Sequence, residues 1–358
     1  MIFAMPTSLQ QDLFGVLPSG ERVYRFILKN EWLEVSLMTF GAAILALRTP
    51  DVEGRLENVV LGGGELADYL APNKAYFGAV CGRYANRIAG ASVCIDGVKH
   101  PLSANEGYDT TLHGGKDGFD ARIWSARIVE QNGVAMTLES PDGDQGFPGN
   151  LTATITYTLE ESSLRLGYEC SADQATVVNL TNHAYFNLAG EGNGVILGHL
   201  LRLGATRYLP LDERYIPVGD LANVEGTPFD FITERAIGER IREPHAQLLL
   251  NRGYNHTYVV QGEPGMLRFA ATVRDPLSGR VLTVQTTEAG IHLYTAGFLD
   301  GSHLSASGRP YVADSGFCLE TQRFPDSPHH CSFPSTLLRP GETYQSETLY
   351  EFSVMTTR

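Results

Sequence analysis

The sequence predicts an all-β protein, a large antiparallel β-sandwich with few short helices. Three observations lead there. Apolar residues recur with period two over long stretches, 38 glycines and 18 prolines break those stretches at short intervals, and strands do not alternate with long amphipathic helices as a doubly wound sheet would require. The clearest case is the hairpin pattern in which Leu151, Ala153, Ile155, Tyr157 and Leu159 alternate with threonines. After a turn at 160–163, Leu164, Leu166, Tyr168 and Cys170 alternate again, which gives each strand one buried face.

In chain order, alternation predicts strands at 32–38, 42–47, 123–129, 134–138, 267–273, 281–286, 291–296 and 348–354. Two stretches, 64–70 and 233–243, carry weak helical patterning, and the proline- and glycine-containing stretches 141–149 and 209–219 read as loops. No internal repeat, low-complexity linker or composition break divides the chain, so residues 1–358 are expected to form one domain.

Hydrophobic content of 43% and charged content of 19% describe a globular chain able to fill a core. Lysine and arginine total 27 against 41 acidic residues, a net charge of −14 with no basic cluster, so nucleic acid is not an expected partner. Cys81, Cys94, Cys170, Cys318 and Cys331 are odd in number and never spaced as C-x-x-C, which predicts reduced thiols in a cytoplasmic protein. Residues 1–20 lack a basic start followed by an apolar core, and no run of about 18 apolar residues occurs, so neither export nor a membrane partner is expected. The sequons at Asn150, Asn179 and Asn255 then carry no glycosylation.

Chemistry concentrates in a few segments. NLTNHAYFNLAG sets His183 among hydrogen-bonding and aromatic residues, and GFCLETQRFPDSPHHCSFP places Glu320 in an otherwise apolar strand-like run, where a carboxylate is expensive unless it is used. GRYANRIAG holds Asn86 and Arg87, TLHGG holds His113, GYNHT holds Asn255, and TEAGIHLYTAGFL holds His292 and Phe298. Sugars suit such mixed surfaces, because hydroxyls need fixed donors and acceptors while apolar CH faces favour an aromatic ring. The glycines at 62–64 and at 190, 192 and 194 lack the continuation of a phosphate loop, His329, His330 and Cys331 are not spaced to ligate, and no G-x-S-x-G elbow occurs. No metal and no cofactor are expected.

In this order, the segments ANRI, LHGG, NLTNHAYFNLAG, TEAGI followed by YT, LETQRFPDSPHH and the closing LRPGETY resemble the aldose 1-epimerase (galactose mutarotase) family. The resemblance runs from about Gly78 to Tyr344 and implies a galactose mutarotase-like supersandwich. It implies an isomerase that interconverts the α and β anomers of a free aldose through the open-chain aldehyde. Glu320 would be the general base at the C1 hydroxyl and His183 the general acid at the ring oxygen. Asn86, Arg87 and His113 would hold the sugar, with Asn255, His292 and Phe298 completing the pocket.

A carboxylate beside His183 is expected to favour imidazolium and so hold both groups in their working states. The chain departs from the family where Asn255 stands for an Asp and His292 for a Gln, so the preferred aldose is expected to differ. The resemblance implies a small monosaccharide as partner, and a monomer or homodimer is expected. A hexose-phosphate 1-epimerase would need more cationic residues around the pocket, a non-catalytic sugar binder would not need both His183 and Glu320, and a glycoside hydrolase would need a second carboxyl group.

Overall fold

The computed structural model describes residues 7–107 and 109–355. Its largest sheet has nine strands in the spatial order Ser125–Val129, Gly133–Ser140, Leu151–Glu160, Ser163–Ala172, Tyr344–Val354, Arg280–Thr286, Arg268–Arg274, Leu200–Leu203 and Arg235–Ala236. A second sheet of six runs Tyr185–Phe186, Phe317–Gln322, Gly290–Tyr294, Asn255–Val259, Arg207–Tyr208 and Ala222–Asn223, and a third of five runs in sequence from Ser8–Val16 to Leu56–Asn58. Neighbouring strands in these three sheets pair antiparallel throughout. The β-sandwich class that the alternation predicts is the observed one.

The period-two hairpin behaves as its pattern requires. Leu151, Ala153, Ile155, Tyr157 and Leu159 are all buried while the threonines between them are half-buried. Their inward face meets the five-stranded sheet, and the Tyr157 hydroxyl donates to the Ala42 carbonyl at 2.6 Å in the turn between that sheet's strands Glu34–Met38 and Ile44–Pro50. The nine-stranded sheet also meets the six-stranded one, where Phe186 lies edge-on to Tyr350 at 5.2 Å.

The six-stranded sheet is covered on both faces, and that positions the site. Along Phe317–Gln322 every residue is buried, but Phe317 and Leu319 belong to the main core whereas Cys318 and Glu320 point to the opposite side. Ile291 and Leu293 face the core and His292 and Tyr294 the other side; Tyr258 faces the core while Asn255 and Thr257 do not. A run that reads as apolar with one stray carboxylate is therefore a strand with two different buried faces.

The two helical expectations are corrected. Residues 64–70 contain only the single 3-10 turn Leu66–Tyr69. Residues 233–243 form the short strand Arg235–Ala236, paired with Leu200–Leu201, and the 3-10 turn Ile237–Glu239. Edge pairing prevails there because Gly238 weakens a helix and Pro244 ends one. The α-helix found is Ala246–Asn251, just past that proline, with the His245 side chain accepting from the Gln247 N–H. Among the described residues no helix is long and apolar enough to cross a membrane.

Candidate active site

The eight residues singled out from sequence line one cleft of about 250 Å³ on the face of the six-stranded sheet turned away from the main core: Asn86, Arg87, His113, His183, Asn255, His292, Phe298 and Glu320. Glu320, His292 and Thr257 lie in one cross-strand row, with Cys318, Tyr294 and Asn255 in the next. His183 sits in the connection between Thr181–Asn182 and Tyr185–Phe186 and is held by its backbone, its N–H donating to the Ala79 carbonyl at 2.8 Å. The His183 Nε2 lies 3.8 Å from the Glu320 Oε1, and its Nδ1 is 3.6 Å from the Cys318 thiol. The Glu320 Oε2 is buried and has no hydrogen-bond partner among the described residues.

A turn brings His113 alongside. It holds φ of +50°, and the following Gly114 must lack a side chain because a Cβ there would lie 1.9 Å from the Gly82 carbonyl. The Asn86 N–H donates to the His113 Nδ1 at 3.3 Å, so the proton of the neutral ring sits on Nε2. Tyr76 closes this side, 4.7 Å from the His113 ring and 5.7 Å from the His183 ring. Tyr76 (φ +58°), Asn86 (φ +64°) and Tyr215 (φ +62°) share the left-handed conformation of His113, four such residues around one cleft.

The electrostatics correct one expectation. Burial, not Glu320, dominates His183 and pushes it from 6.5 down to about 4, while burial pushes Glu320 from 4.5 up to about 8, opposed by Arg87. Between these two values the shared proton therefore resides on Glu320 and the imidazole is neutral, because at 3.8 Å the attraction does not recover the hydration both charges would lose. Burial and then the neighbouring His183 also hold His113 well below the usual histidine range.

Sequence reasoning missed the loop-borne wall. Arg87 makes a two-pronged pair with Glu106 at 2.5 and 2.6 Å and lies over the Tyr215 ring at 4.9 Å. Lys74 is tied to Asp120 and to the Lys116 carbonyl, both at 3.0 Å. Phe298 is 40% exposed at the rim, edge-on to Tyr215 and parallel to Tyr294, an aromatic face open to a ligand. Nothing in the sequence pairs Glu106 with Arg87 except the turn of Glu106 against Thr110 that returns the chain past the cleft.

A β-sandwich cleft lined by the Glu320 carboxyl, three imidazoles and aromatic rings has the groups that acid–base chemistry on a carbohydrate would need. The comparisons with known proteins narrow this further. The family model described as aldose 1-epimerase matches residues 24–351. The galactose mutarotase of Homo sapiens is 44% identical over 348 residues, covering 97% of this chain and 99% of the relative. The aldose 1-epimerase of Escherichia coli is 39% identical over 344 residues, covering 94% and 97%. Among solved structures, the galactose 1-epimerase of Lactobacillus acidophilus superposes with a TM-score of 0.85 at 25% identity, covering 98% of this chain and 99% of that one. An aldose epimerase homologue from C. elegans gives 0.83 at 28% identity, covering 91% and 97%. The chain belongs to the aldose 1-epimerase family.

Proposed function

We propose that this protein is an aldose 1-epimerase that opens and recloses the ring of a free aldose with Glu320 as base and His183 as acid. The observation that carries the reading is the unpartnered, buried Glu320 Oε2 in a carboxyl–imidazole pair 3.8 Å apart. Between about pH 4 and about pH 8 the pair holds a single proton. A sugar's anomeric hydroxyl supplies the donor that Glu320 lacks and so stabilises its carboxylate, and the proton moves to His183 without change in the net charge of the pair.

Glu320 then takes the O1 proton as the His183 Nε2–H is given to the ring oxygen. The bond from C1 to that oxygen breaks, C1 becomes an aldehyde carbon, and rotation about the C1–C2 bond presents the other carbonyl face. Ring closure reverses both transfers. The His113 Nε2–H is a second donor at the ring oxygen, Asn86 and Arg87 hold the remaining hydroxyls, and Phe298 offers a platform for the CH face. The Glu106 clamp orients Arg87.

The cations lining the cleft among the described residues, Lys74 and Arg87, are each committed to a carboxylate. That favours an uncharged sugar over a hexose phosphate. The names of the relatives suggest galactose as the first sugar to try, while Asn255 and His292 favour a ranking with relatively better use of a pentose or deoxy sugar. The whole chain acts as one domain, as a monomer or homodimer, in the cytoplasm; all five cysteines are free.

Polarimetry tests the reading. Freshly dissolved α-D-galactose, α-D-glucose, L-arabinose, D-xylose and D-fucose should approach anomeric equilibrium faster with protein than without. No acceleration for any of them would overturn it, as would acceleration confined to phosphorylated hexoses.

A further inference from the structure

Hydrogen-bond polarity at the Asn255 corner of the cleft is dictated from outside the cleft. The Leu211 N–H donates to the Gln247 Oε1 at 2.8 Å and the Gln247 Nε2 donates to the Leu211 carbonyl at 2.8 Å, which fixes that amide. The Asn255 N–H donates to the His256 Nδ1 at 3.1 Å, so the proton of His256 is on Nε2 and donates to the Gln247 Oε1 at 3.0 Å. The Asn251 Nδ2 donates to the Gln247 carbonyl at 2.9 Å, turning its Oδ1 toward Asn255.

The Asn255 Nδ2 consequently donates to the Asn251 Oδ1 at 3.0 Å, and the Asn255 Oδ1 accepts from the His292 Nε2–H at 2.8 Å. The His292 Nδ1 then accepts from the Thr257 hydroxyl at 2.9 Å. Each step leaves one assignment for the next. Asn251, His256, Thr257 and His292 are all buried, so a reversed dipole anywhere would leave two acceptors or two donors facing each other without water.

We infer that Asn251, at the end of the only α-helix among the described residues and outside the cleft lining, is a positioning residue for sugar recognition that requires an amide at 255 and excludes a carboxylate there. A carboxylate in place of the Asn255 amide would set an acceptor against the Asn251 Oδ1. Turning Asn251 over would move the clash to the Gln247 carbonyl. The substrate-facing result is a neutral corner: one N–H and one lone pair of Asn255, with both His292 nitrogens occupied so that the imidazole offers only ring carbons. Such a corner takes a hydroxyl of either polarity or an unsubstituted carbon and holds no ionised acceptor. This rests on the cleft being the mutarotation site.

The test is a double-mutant cycle of Asn251→Ala and Asn255→Asp, read by polarimetry on α-D-galactose from pH 5 to 9 and by ¹⁵N shifts of the His292 ring. Asn255→Asp alone should raise KM on the order of tenfold at pH 8. It should also add an ionisation to the KM profile, as the buried carboxylate is relieved only by a proton on itself or on His292. In the Asn251→Ala background most of the KM loss should vanish and the new ionisation should move to lower pH, because the opposing acceptor is gone; Asn251→Ser is the second background should the alanine variant not fold. Equal effects of Asn255→Asp in both backgrounds would overturn the inference, as would a His292 tautomer other than Nε2–H. The ring shifts need no turnover, so failure of the mutarotase reading leaves this result readable.

Discussion

Replacing Glu320 by Gln separates the role of the carboxyl in catalysis from its effect on the fold. Glu320 is 2% exposed and its ordinary value of 4.5 is raised to about 8. Between those values the unfolded chain is ionised while the folded one keeps its proton, so stability is intact below about pH 4.5 and falls as pH rises. The loss is complete above about pH 8, at about 5 kcal/mol, with only about 1 kcal/mol lost by pH 5. Gln does not ionise. Any unmet hydrogen bond of its amide adds a constant of about 1–3 kcal/mol, and His183 titrates in both proteins, so the change in the difference between the two pH values is the diagnostic quantity. Urea unfolding at pH 5 and at pH 8.5 should show the Gln variant gaining about 3–4 kcal/mol on the parent between them. Polarimetry on the same samples should show mutarotation reduced at least about a hundredfold. A variant with near-parental turnover removes Glu320 from the mechanism; a stability difference that does not change with pH refutes burial as the origin of its high value.

His183→Asn should lower kcat more than it raises KM, because it removes a proton donated only as the ring opens; a rise in KM at constant kcat would move the acid to His113. The pH profile of kcat/KM should be flat within the window set by His183 near 4 and Glu320 near 8, falling above about pH 8 as the pair loses its one proton and below about pH 4 as it gains a second. An inactive plateau at pH 6 to 7 would refute the single-proton working state. Glu106→Gln should raise KM about tenfold with kcat changed less, since it weakens the two-pronged hold on Arg87 without touching the acid or base; an unchanged KM would free Arg87 from sugar binding. His113, His183 and Glu320 present donor atoms all within 4.8 Å of one another, a set that suits divalent ions, so survival of full activity after exhaustive chelation is a demanding expectation. Loss of activity restored by a metal would overturn it.

The strand content was legible because one-sided burial writes itself as alternation. The hairpin from Leu151 to Ala172 has the register its pattern requires, down to Leu159 opposite Leu164. The strand Ser8–Val16 was not, since it is an exposed edge with no buried face to record. Glu320 stood out because Phe317, Cys318 and Leu319 before it suggest burial, where a carboxylate is expensive. Its protonation did not: a charge pair read from sequence carries no depth, and depth decides where the proton sits. Tyr76, Glu106 and Tyr215 were missed because each reaches the cleft from a loop, where neither period nor motif marks a side chain as inward.

The floor of the cleft is made of central strands buried on both faces, and its rim of loops that carry Lys74, Tyr215 and the half-open Phe298. These two parts should evolve at different tempos. A rim residue such as Phe298, 40% exposed, can be exchanged with little repacking, because much of its surface meets water. A floor residue is wedged between the cleft and a hydrogen-bonded or packed neighbour, so it should change only in company, as the hydrogen bonds joining Asn251, Asn255 and His292 illustrate. Searches for new sugar preferences in this scaffold should therefore randomise the rim one position at a time and the floor only in linked sets.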